Sequence, residues 1–261
     1  MVHYGTCMDH TENRELQTTT ISLKVVEKLR ELDGGRVTEL ATELELAPST
    51  VHSHLSTLLS NGYAVKQGDE YYLSLRFLDH GDYVRNRKKA YRVAASYIDQ
   101  LAEETDCRAV FAVEENGHGV YIHTSSGKHA VWTYSTVGKQ FDLHQTASGK
   151  AILSRLPRST VREIIEQRGL PAATENTITD DETLLDQLDT IRERGIAFNY
   201  QEQLDGIKAV GVPVNGSDNR VVGAFSVASP ANRLTDDRFE ESIPNTLLGV
   251  ANEFELEISM S

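Results

Sequence analysis

From Thr18 onward, apolar residues recur at helical spacing. Ile21, Val25, Leu29 and Leu32 share one face, and Asp33-Gly34-Gly35 stops the run. Val37, Leu40, Ala41 and Leu44 form a second, shorter stripe. Pro48 then suits the first turn of a third helix, where its missing N–H costs nothing. Val51, Leu55, Leu58 and Leu59 are expected on the buried side of that helix, and Asn61-Gly62 ends it. The segment YAVKQGDEYYLSL follows with β-rich runs around Gln67-Gly68-Asp69-Glu70, the pattern of a hairpin with a glycine-containing turn. Three short helices followed by a two-stranded wing predict a winged helix-turn-helix.

Between Gly81 and Thr105 the segment contains neither Pro nor Gly, and Val93, Tyr97, Ile98 and Leu101 give it an apolar stripe. It reads as one helix or two abutting helices. CRAVFAVEENGHGVYIHTSS is expected to be a hairpin around Asn116-Gly117, and HAVWTYSTVG a further strand. GKAILSRLP is helical in pattern up to Pro157. Two amphipathic helices follow, the second closed by Gly195. The segment from Ile207 to Pro230 is a meander turning at Asn215 to Asn219, and a terminal helix carries Pro244 in a bend or break. Strands, then helices, then strands and a helix predict an α+β domain with a largely antiparallel sheet. The expected division is a flexible N-terminal arm over 1–17, a winged helix-turn-helix DNA-binding domain over 18–80, a linker helix region over 81–104, and a second domain over 105–261.

Composition narrows the class. No run reaches the roughly 18–20 apolar residues of a membrane helix, and the first twenty residues lack a basic flank followed by an apolar core. Two cysteines, Cys7 and Cys107, make neither a disulfide framework nor a metal-ligand spacing. The expectation is a cytoplasmic protein without membrane contact. The chain carries 39 acidic against 26 basic residues, with 9 lysines against 17 arginines, a balance that suits hydration in concentrated salt and equally an ordinary acidic soluble protein. Residues 1–90 have a net charge of only −2 and the remainder −11, so the first third repels polyanions far less than the rest.

Candidate chemistry then divides between the two domains. The free face of the third helix presents Ser49, Thr50, His52, Ser53, Ser56 and Thr57, small polar side chains that fit a major groove and hydrogen-bond to bases or phosphates. Wing residues near Lys66 and Gln67 are expected to touch the duplex backbone, and with Thr38 the DNA-binding set is Thr38, Ser49, Thr50, His52, Ser53, Thr57, Lys66 and Gln67. That helix has no Lys or Arg. The nearest basic cluster, Arg85, Arg87, Lys88, Lys89 and Arg92, is either a phosphate contact or the outer face of a connecting helix. Further along, Ser148-Gly149-Lys150 poses a choice. A phosphate-binding loop would need glycine at His144 and a hydroxyl at Ala151, so that reading fails. No nucleophile elbow surrounds Ser148, and neither His52 and His54 nor His118, His123, His129 and His144 match a metal pattern. A small-residue turn feeding a helix N-terminus remains, which suits a small anion or simply tight packing.

Two blocks carry a family resemblance. LHQTASGKAIL, followed some fifty residues later by RERGIAFNYQEQLDGIKAVGVPVNGSDNRVVGAFSVASPANRL, resembles the effector domain of IclR-type transcriptional regulators. VTELATELELAPSTVHSHLSTLLSNGYAVK is similar to the DNA-binding domain of the same family, and the acidic, lysine-poor makeup resembles haloarchaeal members. The resemblance implies a GAF-like α/β effector-binding and oligomerisation domain over 105–261, double-stranded operator DNA as partner, a homodimer or homotetramer, and no cofactor, metal or catalytic residue. It also implies an effector pocket formed by Thr146, Ala147, Ser148, Gly149, Asn199, Ala209, Ser226 and Ala228. The expected ligand is a small carboxylate, sugar or sugar acid, and the expected targets are catabolic genes. This chain departs from the family pattern at Asn199, where an acidic residue is frequent, at Ala209 and Ala228, where cysteine and serine are common, and at Ser53, where arginine is common. Ser229 also replaces a glycine before Pro230. The alternatives are a pocket enzyme using the head for dimerisation, for which no nucleophile–base pair or paired carboxylates stand out, and a co-regulator that meets proteins instead of DNA.

Overall fold

The computed structural model describes residues 15–128, 130 and 135–260. Most of the expected arm over 1–17 lies outside these, as do residues 129 and 131–134 of the strand expected over HAVWTYSTVG; the described residues of that segment, 130 and 135–138, are not strand. The chain divides into two compact units, Met1–Val84 and Arg85–Ser261.

In the first unit, α1 (Gln17–Glu31), α2 (Val37–Glu43) and α3 (Pro48–Ser60) enclose a core of Val25, Leu29, Leu40, Ala41, Val51, Leu55 and Tyr71. Pro48 does occupy the first turn of α3. Two expectations need correction. Leu59 is exposed, because the buried stripe of α3 runs through Val51, His54 and Leu55 with Leu58 at its edge. The wing is three-stranded: β2 (Ala64–Gln67) and β3 (Glu70–Leu73) form the hairpin, and β1 (Gly35–Arg36) adds to the outer edge of β3. A two-residue strand has no period to read, and the Asp33-Gly34-Gly35 stop conceals it. α4 (Arg76–Asn86) buries none of its side chains.

The second unit opens with α5 (Lys89–Thr105), so the connector is two helices that break at Arg87-Lys88. Its antiparallel sheet has the order β6-β5-β4-β9-β8-β7, built from β4 (Arg108–Glu115), β5 (His118–Ser126), β6 (Gln140–Phe141), β7 (Ala197–Tyr200), β8 (Ile207–Asn215) and β9 (Val221–Pro230). Period-two alternation sorts side chains between the two faces. Ala109, Phe111, Val113, Val210, Val212, Phe225 and Val227 pack against α5 and the terminal helix α9 (Ile243–Ser259). Val110, Ala112 and Ala224 face α6 (Ala147–Arg155), α7 (Arg158–Arg168) and α8 (Asp181–Arg194). Pro244 lies just past a widened helical turn over Arg238–Ser242 that runs directly into α9, so the irregularity expected there is a local widening and the helix is not broken.

Candidate functional site

Sequence places Ser49, His52, Ser53 and Thr57 on the side of α3 away from Val51 and Leu55, and all four are exposed, with Thr50 half-buried. Thr38 on α2 and Lys66 and Gln67 on β2 are exposed too. The hydroxyls of Ser53 and Thr57 donate to the carbonyls of Ser49 and Ser53, each at 2.9 Å. Their oxygens therefore face outward as acceptors, and a rotation turns either into a donor. The two histidines of the His-Ser-His step part company: His52 is exposed, while His54 is buried and bonded to Ser22 of α1 at 2.8 Å. His54 thereby ties α3 to α1 and holds the outer face at a fixed angle.

Two cations on this unit's wing are already engaged. Lys66 lies 5.2 Å above the Tyr71 ring, and Arg36 is 3.5 Å from Glu70. The basic cluster after α4 is spent within the second unit. Arg87 pairs with Glu115 at 3.2 Å, Lys89 donates to the Glu257 carbonyl at 2.7 Å, and Arg92 donates to the Asn86 carbonyl at 2.8 Å.

The second unit contains a cavity of about 340 Å³ between the sheet and the start of α6. Thr146, Ala147, Ser148, Asn199, Ala209, Ser226 and Ala228 all line it. Register explains the convergence: Ala209 is paired with Ala228 and Gly211 with Ser226, so two neighbouring strands present small residues on one face. A Cβ on Gly211 would stand 2.7 Å from the Ala147 backbone, so the absence of a side chain is what lets the helix start rest on the sheet. Gly149 does not line the cavity. A Cβ there would collide with the Leu143 carbonyl, so this glycine serves the packing of α6 on the turn before it.

The Ser148-Gly149-Lys150 step now has its physical explanation. Thr146 caps α6 by accepting from the Gly149 N–H at 2.9 Å. Lys150 points away from the cavity and is wholly buried against Glu202, with its Nζ 2.7 Å from Oε1 and 2.5 Å from Oε2. Burial pulls the ammonium below its ordinary range and the Glu202 carboxylate opposes that. Asn199 is likewise committed: its amide donates to the Gln145 carbonyl and its oxygen accepts from the Glu202 N–H. It is a brace between β7 and the turn before α6, and one N–H and one oxygen lone pair of the amide remain beside the cavity.

Sequence reasoning missed several lining residues. Tyr121 and Phe141 stack with centroids 4.3 Å apart and form an aromatic wall with Val110. Burial pushes the Tyr121 phenol up to about 12, so it stays a neutral donor. Gln145, Gln203, Lys139 and Asp142 add polar groups. Only the alternation of β4 and β5 could have flagged Val110 and Tyr121, and nothing local marks the loop residues. His144 is buried, donates from Nε2 to the Pro171 carbonyl at 3.1 Å, and is held below its usual pKa by burial. Among the described residues no group of three His, Cys, Asp or Glu side chains could hold a metal ion. No helix among them is long and apolar enough to cross a membrane.

Two family models match. Residues 18–68 match the IclR helix-turn-helix domain, and residues 84–254 match the bacterial transcriptional regulator IclR C-terminal model. A probable HTH-type transcriptional regulator, ArcR of Halobacterium salinarum, is 30% identical over 95% of this chain and 95% of its own length. The Thermotoga maritima IclR structure superposes with a TM-score of 0.78 at 24% identity, covering 94% of this chain and 99% of that one. The inducer-binding domain of the Acinetobacter PobR transcription factor, solved as a double mutant with 3-hydroxybenzoic acid, is 28% identical with a TM-score of 0.59. That match covers 63% of this chain and 96% of that domain.

Proposed function

Since the chain belongs to the IclR family of DNA-binding transcriptional regulators, we propose that it is ligand-responsive and that its cavity senses a metabolite. The observation that supports this best is the cavity itself. Seven of the eight side-chain positions expected for an effector line one space of about 340 Å³, a size that suits a small organic molecule. The effector is a small carboxylate, sugar or sugar acid, and the regulated genes serve the breakdown of such compounds in the cytoplasm. A PobR domain binds 3-hydroxybenzoic acid. That domain shares the architecture that forms the cavity here.

In this reading α3 lies in the major groove. Ser49, Thr50, His52, Ser53 and Thr57 meet base edges, while Thr38, Lys66 and Gln67 approach the backbone. The protein acts as a homodimer or homotetramer. α4 supports this: it leaves Leu75 just before it and Leu78, Tyr83 and Val84 within it exposed, and α1 adds Leu23 on the same unit. A second copy would cover that apolar surface. For a transcription factor without a cation on its reading helix, affinity depends less on counterion release than usual. Selection from a random duplex pool in molar salt tests the assignment. The expected result is a two-fold symmetric motif that H52A/S53A loses or shifts. Recovery of an unchanged motif by that variant would remove α3 from the interface.

A further inference from the structure

The charges around the cavity do not cancel. In the lining itself, Lys139 and Asp142 offset one another in sign, and the nearby Lys150 and Glu202 form their own neutral pair. One further charge stands at the margin. Arg108, the first residue of β4, is 8% exposed and shares the strand alternation of the lining residue Val110; it does not itself line the cavity and adjoins it through Ser135. Its backbone is paired with Ala228, another lining residue, at one strand spacing of about 5 Å. The guanidinium sits directly behind Ser135, also a lining residue. It donates from Nε to the Ser135 hydroxyl at 3.1 Å, from Nη2 to the Ser135 carbonyl at 2.5 Å, and from Nη1 to the Ser126 hydroxyl at 2.7 Å.

All three acceptors are neutral. Arg108 makes no ion pair with a carboxylate among the described residues, and burial pulls its guanidinium below its ordinary range. A guanidinium has five donors, so two remain after these bonds. A buried cation without a counter-ion is costly to keep. Such a group persists where an anion completes it.

Resting on the reading that the cavity holds the effector, we propose that Arg108 is the counter-charge that selects a ligand bearing a carboxylate. The carboxylate lies at the Ser135 and Ala228 end. The body of the ligand lies along Tyr121, Phe141 and Ile207, an apolar and aromatic wall. This excludes a neutral sugar as the preferred effector and favours an acid with a short apolar or aromatic body. A charge-assisted contact to guanidinium is stronger than a neutral one.

The test compares acids with their primary amides: benzoate, 3-hydroxybenzoate, 4-hydroxybenzoate, lactate and gluconate, each against its amide, by calorimetry on the full chain. The wild type is expected to bind at least one acid roughly 10- to 100-fold more tightly than its amide. R108Q is expected to lose that preference while binding the amide as before, and R108K to keep part of it. The wild-type comparison needs no variant, so a misfolded R108Q leaves it standing. Equal binding of acid and amide by the wild type, or an undiminished acid preference in R108Q, overturns the Arg108 assignment while leaving the cavity reading intact. A preference lost in K139Q but kept in R108Q reassigns the charge to Lys139 and also overturns it. If no member of the panel binds, the cavity reading for this ligand class falls, and the Arg108 assignment with it.

Discussion

Replacing Lys150 by Met leaves a carboxylate stranded. Lys150 is wholly buried and the Glu202 side chain is 5% exposed, with both carboxylate oxygens in contact with the ammonium. Met retains most of the volume, so the packing loss is small and the electrostatic loss dominates. Removing one partner of a buried pair costs about 3–5 kcal/mol, because the remaining charge has no solvent. The unit Arg85–Ser261 has about 180 residues, and at about 2.1 cal/mol/K per residue its melting entropy turns that cost into a drop of roughly 8–13 °C in Tm. Salt supplies a second discriminator. Exposed pairs such as Arg158–Asp189, at 3.1 Å, lose their worth in molar salt, where the screening length is about 3 Å, whereas a buried pair does not. Scanning calorimetry of wild type, K150M and K150M/E202Q in low and molar salt reads all of this. The drop for K150M is expected in both salts, and the double variant is expected to recover most of it. A K150M protein within about 1 kcal/mol of wild type would show that the pair is solvated. In that case its role in fastening α6 to the turn after β7 would have to be given up.

Three further outcomes follow from the same geometry. G211A introduces a Cβ 2.7 Å from the Ala147 backbone; the expected cost is about 1–3 kcal/mol in urea unfolding, together with lost ligand binding, and normal values for both would mean that α6 does not rest on β8. A228L extends a side chain into the cavity; it is expected to abolish ligand binding while leaving Tm unchanged or raised, and retained affinity would put the ligand elsewhere. His144 is held below its usual pKa by burial, so the unfolded chain takes up a proton that the folded chain refuses; stability is therefore lost as pH falls below about 6.5. H144Q is expected to flatten that part of the urea-midpoint profile against pH, and an unchanged slope would assign the acid loss to other groups, beginning with His123, whose pKa burial also lowers.

The sequence made the first unit legible because its signals are local. Helical periodicity found α1 to α3, and Pro48 and the Gly68 turn marked where α3 begins and the hairpin folds back. β1 escaped because two residues carry no period, and Leu59 was misassigned because His54 took its place in the buried stripe. In the second unit, the small residues that border the cavity were visible through the family resemblance. Their convergence depends on strand register, Ala209 beside Ala228 and Gly211 beside Ser226, which is a long-range property. For the same reason the partner of Lys150 was hidden: Glu202 lies 52 residues away, and neither position alone looks different from a surface charge. Asn199 lines the cavity, and its tie to Gln145 and Glu202, 54 and 3 residues away, is another contact that the sequence does not display.

The most direct test of the account joins its two halves. Take a duplex recovered by selection and the acid bound most tightly in the calorimetric panel, and titrate the duplex with protein in the presence and absence of that acid. Coupling of 1–3 kcal/mol is typical of such linked sites, so the acid is expected to change operator affinity by roughly 5- to 150-fold in wild type and to have no effect in A228L. By reciprocity the duplex must change the affinity for the acid by the same factor. Operator affinity that is identical with and without saturating acid would contradict a cavity that controls the reading head.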